Sequence, residues 1–344
     1  MTDHERRQLL LARQYISAPA DKGTVCGALN CLQAQILSYA RHALALRCSA
    51  PLGADWGDGL VKSWTLRGTM HIFPERDLPL YLHRDRTHYL RDVDRFTADP
   101  CLSAERKAAL AGHILRCVDQ GITTREELRR ACRDFGMTAE EEGSAFNSWG
   151  GLLRAMCEAG QLCYTVQEQK VFRRCPEFTP MAAKEAQLEQ ARRYFTRFGP
   201  ASLRDAAYFF AVPQKQVRTW LDQLPVETVS TAGRDCFFIR DGRRDAPEIP
   251  ACILLAGFDQ LLLGYEKRES VFLPPEYLRG IFTRSGMVLP AVLLDGQVAG
   301  QWKVSGRSCK VTCFRPFSSA EREQTAAALH RFFPAAARVT WAEG

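Results

Sequence analysis

A chain of 344 residues exceeds what one hydrophobic core usually organises, so two or three domains and room for a cleft are expected. Its 46% hydrophobic and 25% charged residues, with no long polar or low-complexity stretch, exclude a disordered or fibrous protein. The 46 Lys and Arg against 39 Asp and Glu leave a formal +7 weighted toward Arg, which favours a polyanionic partner without establishing one. The opening MTDHERRQLLLARQYISA carries charges through its apolar positions. No uninterrupted apolar run approaches about 18 residues, so neither a signal peptide nor a membrane partner is predicted.

Residues 6–16 place Leu9, Ala12 and Ile16 at helical spacing, and a second helix is expected over residues 36–48. Pro51, Gly53, Gly57 and Gly59 mark a loop. A short helix around GLVKSW then leads into TLRGTMHIF, residues 65–73, which reads as a bent strand. Helices followed by a short β element are the grammar of a winged helix. Thr124 with Glu127 forms a capping box ahead of a helix carrying Leu128, Ala131 and Cys132. Ser202 caps another helix, and beyond Val212-Pro213 a further one carries Val217, Trp220 and Leu221, the layout of a helix-turn-helix module. Past residue 250 the pattern turns to strands: a buried ACILLAGFD, then MVLPAVLLDG, QVAGQWKVSG and RSCKVTCF joined by tight turns, with a final helix over AEREQTAAALHRFF. The fold class expected is α+β: tandem winged-helix (helix-turn-helix) domains with a C-terminal β-meander.

The thirteen cysteines, scattered from Cys26 to Cys313, form no dense framework, so reduced thiols and a cytoplasmic location are the natural reading. Zinc sites pair ligands at gaps of about two to four residues and need two such pairs. Cys26 and Cys31 are five positions apart and Cys309 and Cys313 four, but the two pairs lie at opposite ends of the chain, so no metal site and no cofactor are expected. Cys309, Val311 and Cys313 read instead as one buried face of a strand.

Several stretches taken in order resemble the AlkZ/YcaQ-like family of winged-helix DNA glycosylases. They are Leu32-Gln33-Ala34-Gln35, Ser63-Trp64-Thr65-Leu66-Arg67-Gly68-Thr69-Met70-His71, Phe198-Gly199-Pro200, and Leu255-Ala256-Gly257-Phe258-Asp259-Gln260 followed by Leu263 to Arg268. Asp295-Gly296 with Gly300-Gln301-Trp302 fits as well. The resemblance implies three tandem winged-helix domains around DNA, and monofunctional removal of N7-alkylated purines or bulky genotoxin adducts. It also implies a catalytic Gln-x-Gln motif in the AlkZ-like branch, where the YcaQ-like branch has an acid in the second position; Gln33 and Gln35 match the former. The domains expected are 1–115 with that motif, 116–245 with the middle winged-helix units, and 246–344, β-rich, with a hairpin of the kind family members use against DNA.

Cleavage of an N-glycosidic bond passes through an oxocarbenium-like sugar, so a catalyst must hold water below C1′ and tolerate positive charge. Amides can orient water and soften the charge, and they cannot act as general bases near neutral pH. A slow enzyme choosing labile, already cationic purines is therefore expected. Residues two apart share a face only in extended backbone, so a shared water requires Gln33 and Gln35 to precede the helix that starts near Ile36. Without the resemblance, two solvated helical glutamines would be the plainer reading.

Arg67, Thr69 and His71, evenly spaced, would form a polar stripe on one strand face, either lining a pocket or gripping phosphate, or else a buried structural network. Arg84, Arg86, Lys215, Arg218, Lys267, Arg268, Lys303 and Arg307 are the other candidates for DNA-backbone contact. The partner expected is alkylated or adducted double-stranded DNA, bound by a monomer. The alternative is a non-catalytic winged-helix DNA-binding transcriptional regulator, which would not need Gln33-Ala34-Gln35.

Overall fold

The computed structural model describes residues 1–82, 101–231, 233–242, 246–335 and 338–343, which form a mixed α+β fold. Two units divide the chain: Met1–Gly53 together with Ala191–Gly344, and Ala54–Gln190.

In the first unit, Thr2 and Glu5 build a capping box that starts α1 (Asp3–Arg13), and Tyr15 at φ 63° turns the chain out of it. The helix therefore begins and ends about a turn earlier than its apolar spacing suggests. Asp21 caps α2 (Lys22–Ala28) by accepting from Thr24 N–H at 2.9 Å. A two-residue strand, β1 (Leu32–Gln33), and α3 (Leu37–Ala45) follow.

The second unit opens with β2 (Leu60–Trp64) antiparallel to β3 (Met70–Pro74), with Ser63 opposite His71. GLVKSW is thus a strand and not the short helix expected. Leu60, Val61, Lys62 and Ser63 are all buried, and a strand covered on both faces lacks the alternation that reveals strands. Between the strands, Leu66–Gly68 form a 3₁₀ turn in which Arg67 takes φ 56°. The expected even stripe of Arg67, Thr69 and His71 on one strand face is therefore corrected: only His71 lies in β3.

Next come α4 (Ala104–Asp119), α5 (Arg125–Asp134), α6 (Ala139–Ala145), α7 (Gly151–Glu158), β4 (Leu162–Tyr164) and β5 (Phe172–Arg174). The Thr124–Glu127 capping box is formed as expected. Within this unit the strands lie in the order β3-β2-β4-β5, over a core that includes Leu110, Ile114, Leu128, Leu153, Leu162 and Phe172.

The boundary falls within α8 (Ala183–Arg197). Ser202 and Asp205 box the start of α9 (Leu203–Phe210), Ala211 at φ 55° ends it, and Pro213 leads into α10 (Gln214–Leu221), which buries Val217 and Trp220. A hairpin of β6 (Glu227–Thr231) and β7 (Arg234–Phe238) follows. After β8 (Cys252–Leu255) and the short α11 (Gln260–Leu263) come β9 (Ala291–Leu294), β10 (Gln297–Ser305), β11 (Ser308–Cys313), α12 (Ser319–Phe332) and β12 (Arg338–Glu343). The five-stranded sheet runs β12-β11-β10-β9-β8.

Its antiparallel β8 to β11 portion is the expected meander, and Cys309, Val311 and Cys313 are buried along one face of β11, where burial pushes both thiols up. β12 was not anticipated: α12 does not end the fold, because Arg338–Glu343 pairs parallel to β11.

The first unit is tied together by buried polar groups. Arg47 and Asp259, both with fully buried side chains, form a bidentate pair at 2.6 and 3.0 Å. Arg47 also donates to Gln14 O and Ala43 O, and Asp259 caps α11 by accepting from Leu261 N–H at 2.8 Å. Tyr194 stacks on Phe198 and donates to Gly264 O at 2.7 Å. A Cβ on Gly264 would meet the Phe198 ring at 2.4 Å, so no larger residue fits there.

Removing one member of a buried pair strands the other charge in a low dielectric. Asp259→Asn and Arg47→Met are each expected to cost about 3–5 kcal/mol, measured by urea unfolding.

Candidate functional site

The Gln-x-Gln segment is launched by a tight reversal. After α2, Asn30 and Cys31 adopt φ of 54° and 70°, two consecutive left-handed residues of which neither is glycine. Such a conformation costs on the order of 1 kcal/mol or more at each residue, so the surroundings must enforce it. Part of that enforcement is visible: Cys31 N–H donates to Cys26 O at 3.3 Å, and Cys31 O accepts from the Gln260 side-chain amide at 2.6 Å.

β1 then carries Leu32 and Gln33, and the backbone stays irregular until Ile36, which is extended and immediately precedes α3. Leu32 and Ala34 are buried and anchor the segment in the core; Gln33 is 6% exposed and Gln35 is exposed. Gln33 Nε2 donates to Gln35 Oε1 at 2.7 Å. The amides thus lie together at the end of an extended segment, the backbone that residues two apart need to meet. The bond leaves Gln35 Oε1 a second lone pair and Gln35 Nε2 its donors. The pair grades from buried to wet, and neither group titrates.

A second polar cluster lies in the other unit. His71 is fully buried, with Nδ1 at 2.9 Å from Thr65 Oγ1 and 3.1 Å from Thr69 O, and Nε2 at 3.4 Å from the Arg67 guanidinium. A guanidinium only donates, so Nε2 must be the bare nitrogen and Nδ1 the protonated one. Burial, and then the Arg67 charge, hold the His71 pKa well below the usual histidine range. His71 therefore faces its own turn and steadies Arg67, which is only partly buried. Thr69 Oγ1 donates to Leu66 O at 3.2 Å, inside the same turn.

The remaining cations are dispersed. Lys215 and Arg218 are exposed on α10, and Arg268 is exposed beside a partly buried Lys267 whose ammonium lies 5.6 Å from the Phe282 ring centre. Lys303 and Lys310 are exposed and directly opposite each other on β10 and β11, with Arg307 exposed in the turn beyond them. Like charges facing each other across strands are unfavourable, so this arrangement suits an anionic partner. Arg84 and Arg86 lie outside the described residues. No group of His, Cys, Asp and Glu that could hold a metal occurs among the described residues, and no helix among them is long and apolar enough to cross a membrane.

In the sequence, Gln260 is visible only as one member of a longer motif. The signal that singles it out is an amide following a capping Asp within the otherwise apolar Leu254 to Leu263 run.

Comparison with known proteins gives these features a class, that of enzymes cutting bases from DNA. The family model "DNA glycosylase AlkZ-like" matches residues 27–334. A curated relative, the interstrand DNA cross-link repair glycosylase of Streptomyces sahachiroi, is 27% identical over 339 residues, covering 92% of this chain and 89% of that protein. The solved structure of Streptomyces sahachiroi DNA glycosylase AlkZ shares the fold, with a TM-score of 0.79, 23% identity and full coverage of both chains. The chain belongs to the AlkZ-like DNA glycosylase family. It is accordingly a DNA-repair enzyme with DNA as substrate, and the reading as a non-catalytic regulator is set aside.

Burial also lowers the pKa of His42, which is covered by Phe332, Phe333 and Trp302 and donates to Leu254 O at 2.8 Å. Depressed histidine pKa values mean that the unfolded chain binds protons the folded chain refuses. Stability is then constant above the unfolded value of about 6.5 and falls as the pH drops below it. Urea unfolding at pH 7.5 and 5.5 should show this acid loss, and His71→Gln should shrink it.

Proposed function

We propose that this glycosylase is monofunctional and excises N7-alkylated purines or bulky genotoxin adducts from double-stranded DNA by water attack at C1′. Gln33 and Gln35 are the residues that position the water. The observation that carries this reading is the 2.7 Å amide pair at the end of an extended segment, half buried and half open to solvent. The relative from Streptomyces sahachiroi is named for repair of interstrand cross-links, which supports a bulky alkylated lesion.

The chemistry follows from what amides lack. With no proton to take or give near neutral pH, they cannot generate hydroxide or protonate a leaving base. Gln35 Oε1, already accepting from Gln33, offers its remaining lone pair to a water hydrogen and turns the water's oxygen toward the sugar. The amide oxygens also present negative dipole ends to the developing oxocarbenium. A base bearing an N7 alkyl group is cationic and departs as a neutral molecule when the C1′–N9 bond breaks, so it needs no acid, and the proton shed by the water that adds to C1′ passes to solvent.

DNA is held, in this proposal, by tandem winged-helix units, with 1–115, 116–245 and 246–344 as domains. Three runs support tandem units: α1 to α3 followed in sequence by the β2–β3 hairpin, α4 to α7 followed by β4–β5, and α9–α10 followed by β6–β7, with α4 carrying the start of the second run back to residue 104 and 246–344 standing as the β-rich unit. Arg67, Lys215, Arg218, Lys267, Arg268 and the hairpin residues Lys303 and Arg307 serve backbone contact, with Thr69 and His71 shaping the turn that presents Arg67. One chain with several DNA-binding units acts as a monomer, in the cytoplasm.

The test is release of free base from a duplex carrying N7-methylguanine. Gln33→Ala and Gln35→Ala should each slow single-turnover release by about 10²-fold while leaving the affinity for undamaged duplex nearly unchanged. Full release by both variants would sink the assignment. Because the amides do not titrate, the wild-type rate should be flat above about pH 7. Arg307→Ala should weaken binding to every duplex and reduce the slope of log K against log salt by about 1.

A further inference from the structure

Gln260 is 1% exposed and begins α11 directly after the capping Asp259. Its Nε2 donates to Cys31 O at 2.6 Å, two residues before Gln33, while its Oε1 is buried with no hydrogen-bond partner among the described residues. The amide cannot be turned over, since that would set Oε1 against the Cys31 carbonyl. Strained backbone lies on both sides of the bond: Asn30 and Cys31 are left-handed, and so is Phe258, at φ 58°. The orphaned oxygen is a cost to folding, and an apolar residue of the same shape would remove it while leaving the Cys31 carbonyl without this donor, so stability gives the amide little net advantage. What the amide supplies is a fixed position for Cys31 and for the extended segment that Cys31 launches.

We infer that Gln260 is a positioning residue for the Gln33–Gln35 pair, holding it through the Cys31 carbonyl. The inference rests on the proposed roles of Gln33 and Gln35. It acts through backbone geometry: a segment free to shift by a fraction of an ångström would still bind DNA but would present the water off line to C1′.

The test uses Gln260→Met, which keeps length and volume and removes both the donor and the orphaned acceptor. Single-turnover release of N7-methylguanine should fall about 10-fold, with Kd for undamaged duplex within about 2-fold and Tm little changed, because the orphaned oxygen is lost together with the bond to Cys31 O. A residue serving only the fold would lose Tm together with rate. Gln33→Ala combined with Gln260→Met should be no slower than Gln33→Ala alone, because both act on one water. Hydrogen exchange over Leu32 to Gln35 should quicken in Gln260→Met. Full activity in Gln260→Met, or losses that multiply in the double variant, would overturn the inference. Full activity in Gln33→Ala would instead overturn the reading of the amide pair, and the exchange measurement would still decide whether Gln260 holds the segment. Gln260→Asn, one methylene too short to reach Cys31 O, covers the case in which methionine prevents folding, and the same loss of rate is expected of it.

Discussion

The buried pair of Arg47 and Asp259 is the interaction on which the first unit depends. Arg47 ends the α3 region and reaches back to Gln14 at the end of α1, while Asp259 fixes the start of α11. One guanidinium therefore joins three segments remote in sequence. The planar fork of donors makes this possible, since two meet the carboxylate and others meet the Gln14 and Ala43 carbonyls. A lysine could supply the charge but not that fork. Taking both charges out of water is expensive, and the return is specificity of arrangement more than net stability. That arrangement sets the residue after Asp259, which is Gln260, and so reaches the reversal that leads to Gln33.

The proposed chemistry is shaped by the absence of titratable groups in the amide pair. A carboxylate in place of Gln35 would activate water more strongly, but its negative charge would also favour closer association with any cationic base. In that proposal two amides restrict the catalyst to orientation and dipole stabilisation, so selectivity would pass to the substrate: bonds already weakened would break, and intact nucleotides would survive. Speed is exchanged for safety on a polymer in which undamaged bases vastly outnumber lesions.

Much of the fold was legible because its signals are local. The capping box at Thr124–Glu127, the helix cap at Ser202, the Val212-Pro213 break and the tight turn of the last hairpin each declare themselves within a few residues. The non-helical backbone around Gln33 and Gln35 was legible for a different reason, since residues two apart lie on different faces of a regular helix. Misreadings arose where burial hid the periodicity. β2 is covered on both faces, and the regular polar spacing of Arg67, Thr69 and His71 concealed a 3₁₀ turn forced by two positive φ angles. β12 pairs with a strand 30 residues earlier in register, Ser308 with Arg338, which no local pattern announces. Gln260 was equally hidden, because its partner is a backbone carbonyl 229 residues away.

The facing lysines of β10 and β11 carry a consequence for how the hairpin behaves in and out of contact with a polyanion. Unbound, Lys303 and Lys310 push the two strands apart across a rung of the ladder, and dissolved salt relieves that push by screening it. In the proposed contact with phosphate, the same two charges would be neutralised together, and salt would instead compete for them. Ionic strength therefore acts on this element in opposite senses: it firms the free hairpin and loosens the occupied one. The hairpin is an element whose own mechanical order improves when it is given something negative to hold.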